Sequence, residues 1–90
     1  MGKFRKKQVV IEAWEWDETR TTLEKIEKIG CKLMSLDGYT ERPDEFTNLS
    51  IETPEGTKSV NKGDYIIKDE KGDFYPCKPD IFKATYEAVL

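Results

Sequence analysis

Gln8-Val9-Val10-Ile11-Glu12-Ala13-Trp14-Glu15-Trp16 is the stretch that decides how this ninety-residue chain folds. Val9, Ile11 and Ala13 alternate along one face of an extended segment. Val10, Trp14 and Trp16 take the other face, interrupted there only by Glu12. Apolar groups on both sides predict a strand that is interior or covered by a helix rather than an edge, with Glu12 and Glu15 emerging at its wet margin.

Outward from that strand, Thr21 to Ile29 predicts a helix. Thr21 is the expected N-cap, Glu24 completes a capping box, and Gly30 ends the helix in a left-handed conformation. Its inward stripe is Leu23, Ile26, Ile29 or Gly30, and Leu33. Cys31 to Leu36 reads as a short strand with a turn at Asp37-Gly38, and Tyr39 to Glu45, with Pro43, reads as a loop. Phe46 to Thr53 is extended, with Leu49, Ile51 and Thr53 on one face. Pro54-Glu55-Gly56 turns the chain into a returning strand over Thr57 to Val60. Turns at Asn61 to Asp64 and Lys71 to Asp73 bracket strands at Tyr65 to Lys68 and Phe74 to Cys77. Pro79 opens a terminal helix whose stripe is Ile81, Phe82, Thr85, Tyr86 and Val89. The expectation is one α+β domain over residues 1–90. It comprises one layer of small antiparallel or mixed β-sheet, largely a meander, packed with an internal helix and a C-terminal helix.

Composition removes whole classes of mechanism. The chain has no histidine and two cysteines. A Ser-His-Asp triad, a Cys-His pair, a histidine-ligated zinc and a four-cysteine zinc site therefore cannot be built from one copy. No metal and no cofactor is expected, nor enzymatic activity. Cys31 and Cys77 are expected as buried free thiols rather than a disulfide. No apolar run approaches the roughly 20 residues of a spanning helix and no signal peptide is recognisable, so a cytoplasmic protein without a membrane partner is expected.

Charge is unevenly distributed. Lys3, Arg5, Lys6 and Lys7 make residues 1–7 a basic arm, whereas the remainder carries 11 basic and 18 acidic side chains, a balance of -7. Such an arm suits an acidic protein surface, and the acidic body opposes direct nucleic-acid binding. Glu12 and Glu15 are three residues apart and cannot share a face of a regular strand, which disfavours a catalytic carboxylate pair. Gly63-Asp64 and Gly72-Asp73 match no phosphate-loop or calcium-loop spacing and read as turns. Cys77 beside Lys78 has no histidine base and reads as packing. Trp14, Trp16, Phe74 and Tyr75 fit two roles, the large pieces of the core or an aromatic platform for a partner.

Lys3 to Lys7 followed by Val9 to Trp14, together with the Lys62 to Glu87 segment, resembles a family of small bacteriophage and prophage proteins bearing a PGDYG signature. The likeness is carried by Gly63-Asp64-Tyr65, by Gly72 and Phe74 through Phe82, and by Thr85-Tyr86-Glu87. Lys62 replaces the leading proline of the signature and Ile66 its final glycine. The resemblance implies a phage or prophage origin and carries over no catalytic residue and no cofactor. The function expected is a noncatalytic accessory module that binds a host protein, with Trp14, Trp16, Tyr75, Arg5, Lys6 and Lys7 as the partner-binding candidates. A small-ligand or nucleotide-binding module is the alternative, with a nucleic-acid-binding protein ranked behind it. The composition fixes no oligomeric state.

Overall fold

The computed structural model describes residues 2–4 and 10–88. The elements in chain order are β1 (Glu12–Glu15), α1 (Arg20–Lys28), β2 (Leu33–Gly38), β3 (Phe46–Thr53), β4 (Gly56–Val60), β5 (Tyr65–Lys68), β6 (Phe74–Cys77) and α2 (Pro79–Thr85). The fold is α+β, but the strands form two sheets rather than one layer. The first has the order β1-β5-β6 and the second β2-β3-β4, both antiparallel. The division follows from β1, which pairs with β5 and not with β2, its nearest strand in sequence. β1 is thus an edge strand, correcting the expected interior position. Trp14 packs against the core from one face, while Ala13 lines an open groove on the other.

Each sheet gives one face to a shared core. Leu49, Ile51 and Val60 enter from the second sheet, and Ile66 and Phe74 from the first. Trp16 follows β1, and Leu23, Ile26 and Cys31 close the cluster from α1 and its exit. Trp16 is fully buried and is the largest side chain in the core. Its backbone is held on both sides, because Trp16 N–H donates to the Asp64 carbonyl and Gly63 N–H donates to the Trp16 carbonyl, each at 2.8 Å. Gly63 adopts a φ of 93° to reach that position. The Asp64 carboxylate accepts from Asn61 N–H at 2.9 Å, which closes the turn and satisfies the buried acid.

The ends of α1 show where local signals suffice. At its exit, Gly30 N–H donates to Glu27 O and Cys31 N–H to Ile26 O, the two bonds of a Schellman motif, with Gly30 at φ 105°. At its start the cap is Thr19, not Thr21. Thr19 Oγ1 accepts from Thr22 N–H at 3.3 Å and donates to Asp17 Oδ1 at 2.7 Å. The choice is made by distant chain: Glu18, at φ 65°, offers its carbonyl to Phe46 N–H, and Arg20 N–H donates to Asp44 O. Those bonds fix residues 18–20 and place the helix entry two residues earlier than the capping-box reading.

Asp37-Gly38 is likewise strand and not turn. Both residues pair with β3, the reversal occurring over residues 39–45. The register shifts twice, once between Leu33 and Ser35 with the extra residue on β2, and once in β3, where Asn48 takes φ 54° and its side-chain amide donates to Asp37 Oδ2 at 2.8 Å. The β3–β4 reversal is closed by Thr53, whose hydroxyl donates to Gly56 O and accepts from Glu55 N–H. In the turn before β6 the accepting acid is Asp69, bonded to Lys71 N–H and Asp73 N–H, rather than Asp73 itself.

α2 begins at Pro79 as the sequence predicts, but contributes no buried residue. Its Phe82 ring lies flat on Tyr65, centroids 3.9 Å apart and planes 7° from parallel. Ile81 belongs to no inward stripe and is 53% exposed; Tyr86 follows the helix in extended conformation, and Val89 lies outside the described residues.

Two measurements check this account. Thr19→Ala is expected to lower unfolding free energy by about 1 kcal/mol and Ile26→Ala by about 2–5 kcal/mol in urea titrations. Equal losses from Thr19→Ala and Thr21→Ala would return the cap to Thr21. Burial is the largest single influence and raises the Asp17 pKa, but hydrogen bonds from Thr19 and Thr22 together outweigh it and hold the carboxyl below its ordinary value. A depressed folded-state pKa means stability that is present above the ordinary aspartate range and lost as pH falls through the lowered value. Asp17→Asn should therefore flatten the acid limb of the stability curve.

Candidate functional site

Strand register assigns every side chain of the first sheet to a face. Trp14, Ile66 and Pro76 stand opposite one another across the three strands, and Ala13, Ile67 and Tyr75 form the neighbouring row. Adjacent rows point to opposite faces. Trp14 therefore lies on the core side with Phe74, while Tyr75 lies on the outer side, so these aromatics do not make one platform. Trp14 is half-buried against the core, and Trp16 has no exposed surface to give a partner in this fold. Of the expected site, Tyr75 alone remains on the outer face. Arg5, Lys6 and Lys7 lie outside the described residues. Glu12 and Glu15 take opposite faces, opposite Lys68 and Tyr65 respectively.

The outer face carries a different set of residues. Tyr65, Tyr75 and Cys77 belong to it through the register, and α2 covers one end through the Phe82 stack. Beside that stack lies a groove of about 330 Å³ lined by Val10, Ile11, Ala13, Phe82, Tyr86 and Glu87, with Ala88 at its end. Its walls come from the two ends of the chain and are mostly apolar. Val10 is 71% exposed at its mouth. Among the described residues, no strand pairs with the free edge of β1 beside it.

Two further clefts are polar. One, of about 340 Å³, lies among Gly30, Lys32, Glu52, Thr53 and the Gly72-Asp73 turn; the Lys32–Glu52 contact in it spans 3.7 Å between exposed groups. The other, of about 240 Å³, runs over the outer face of the second sheet along Ser35, Thr47, Asn48, Ser50 and Ser59. Both read as solvated surface of an antiparallel sheet.

On the outer face desolvation leads and neighbouring carboxylates add to it. Partial desolvation, then Asp69, Asp73 and Glu55, raise the Tyr75 pKa; burial, then Asp64 and Asp80, raise that of Cys77. Cys77 is half-buried rather than buried, and its thiol lies 3.6 Å from the Lys78 carbonyl. Cys31 is buried, and desolvation followed by Glu27 pushes its pKa up to about 11. The two thiols are free, and neither is activated at neutral pH. No three metal-ligating side chains gather among the described residues.

The groove was not visible in the sequence because its walls come from residues 10–13 and 82–88. The one available sign was the alternation of Val10 away from Ile11 and Ala13, combined with aromatic spacing at Phe82 and Tyr86.

Thiol labelling checks this electrostatic picture. Cys77 should react with a neutral alkylating reagent more slowly than an unstructured cysteine peptide at pH 7, its rate climbing with pH beyond the ordinary thiol range, while Cys31 reacts only on unfolding. Rapid labelling of Cys77 at neutral pH, or of Cys31 in the folded chain, would contradict it. Comparison with family models, with curated proteins and with solved structures gives no match to the chain.

Proposed function

We propose that this chain is a noncatalytic protein-interaction module whose contact surface is the outer face of the first sheet. The observation that carries the reading is the apolar groove between residues 10–13 and 82–88, open beside the unpaired edge of β1. An edge strand offers unsatisfied backbone donors and acceptors to an extended partner segment, and an adjoining apolar groove gives that segment's side chains somewhere to bury. Val10, 71% exposed, adds apolar area to it. Carboxylates around Tyr75 and Cys77 favour a partner with basic residues and oppose a phosphate backbone. No helix among the described residues is long and apolar enough to cross a membrane.

The likeness of the two ends to the PGDYG-signature phage proteins gives the proposal its context, a phage or prophage accessory protein whose partner is a host protein. The groove is of a size that admits a small ligand, but among the described residues Glu87 and Tyr86 are the only lining residues with polar side chains. A specific small-molecule site needs several convergent polar groups, so this reading is the weaker one.

Site-specific photo-crosslinking in host cells tests the proposal. A photoreactive residue at position 10 should capture a discrete protein, whereas the same group at exposed Thr57, on the second sheet, should not. Equal, diffuse capture at both positions, or none at position 10, would count against an interaction role for this face.

A further inference from the structure

The groove has a chemically matched ligand within the chain's own sequence. Phe4 is 96% exposed, and it stands in Lys3-Phe4-Arg5-Lys6-Lys7, an apolar anchor flanked by cations. The groove offers the complement: Val10, Ile11, Ala13 and Phe82 as apolar walls and Glu87 as a carboxylate at its lip. Among the described residues Glu87 is the one carboxylate of the lining, and the arm's four cations face a body of net charge -7. We propose that the groove takes the N-terminal arm of a second copy of this chain, Phe4 entering the apolar floor and the arm's cations meeting Glu87. The proposal rests on the reading of this face as an interaction surface and names its occupant.

Geometry and sequence favour exchange between copies over docking within one. Val10 and Ile11 are themselves walls of the groove, and only residues 5–9 separate them from Phe4 in the sequence. Arg5-Lys6-Lys7-Gln8-Val9 contains no glycine, proline, asparagine or aspartate, the residues that supply tight reversals. The ring of Phe4 also stands in solvent rather than in the groove. Reciprocal exchange gives each copy one arm donated and one groove filled, the self-complementary arrangement of a two-fold dimer. The opposition of a +4 arm and a -7 body makes the association weaken with salt.

Sedimentation velocity on the full chain over a concentration series, at low and high salt, provides the test. The expected result is a monomer–dimer equilibrium shifted toward monomer by salt. Phe4→Ala, at a fully solvated position, should weaken association roughly tenfold or more. Val10→Lys, exposed at the groove mouth, should weaken it comparably by repelling the arm. An equimolar mixture of the two variants should restore association above either alone, because one supplies an intact arm and the other an intact groove. A wild-type chain that stays monomeric, a dimer indifferent to Phe4→Ala, or a mixture that recovers nothing would overturn the proposal.

The crosslinker at position 10 separates the failure modes. Capture of a second copy supports arm exchange and the interaction role of this face, with this chain rather than a host protein as the groove's occupant. Capture of a different protein by a monomeric chain overturns arm exchange and leaves the interaction role standing. An intramolecular link from position 4 to the groove would show docking within one chain and overturn the second copy as occupant. Capture of nothing removes both.

Discussion

The rest of the structure depends on how Trp16 is held. Its side chain has no contact with solvent, and its backbone is gripped by Gly63 and Asp64 through two short hydrogen bonds. One residue thereby joins the end of β1 to the turn preceding β5 and supplies the largest side chain of the core both sheets share. The indole Nε1 has no partner. Burying a donor in that state carries a free-energy penalty, offset here by the apolar area of the ring and the satisfied backbone on either side. The Asn61–Asp64 turn is thus a fastening as well as a reversal. That accounts for the Gly63-Asp64 pair with no ligand invoked.

Much of the fold could be read locally, and the exceptions share a cause. Leu49, Ile51 and Thr53 alternate as a strand should, and all three are buried. Gly30 stops α1 and Pro79 starts α2 at the predicted residues. What escaped the sequence was set by partners far along the chain. Thr19 and Thr21 are comparable caps by composition; Phe46 and Asp44, bonding to Glu18 and Arg20, select the earlier one. Asp37-Gly38 carries a strong turn signal, yet the β3 bulge at Asn48 absorbs the irregularity and leaves the pair in a strand. Two sheets form instead of one because β1 pairs with β5 across most of the chain, and no local period reports that pairing.

The same dependence on register governs the candidate surface. Trp14 and Tyr75 look equivalent as exposed-or-core aromatics until β5 is placed between their strands, after which they stand on opposite sides of one sheet. Trp16 is fully buried and Trp14 half-buried against the core, whereas Val10, Ile11 and Ala13 line the groove that α2 borders. Fold chemistry and surface chemistry are therefore divided between alternate residues of the same short segment.

The attachment of α2 has a consequence for how the chain opens. A seven-residue helix with no buried side chain, joined to the sheet through the Phe82–Tyr65 stack, stands outside the cooperative unit built around Trp16. Elements with few buried contacts unfold locally at a fraction of the global free energy. The helix is also one wall of the groove, so that wall can swing away while the sheet beneath stays folded. Any occupant that packs against Phe82 and Tyr86 would bind the closed form better than the open one and act as a clasp, raising the protection of the α2 amides from hydrogen exchange without touching the core.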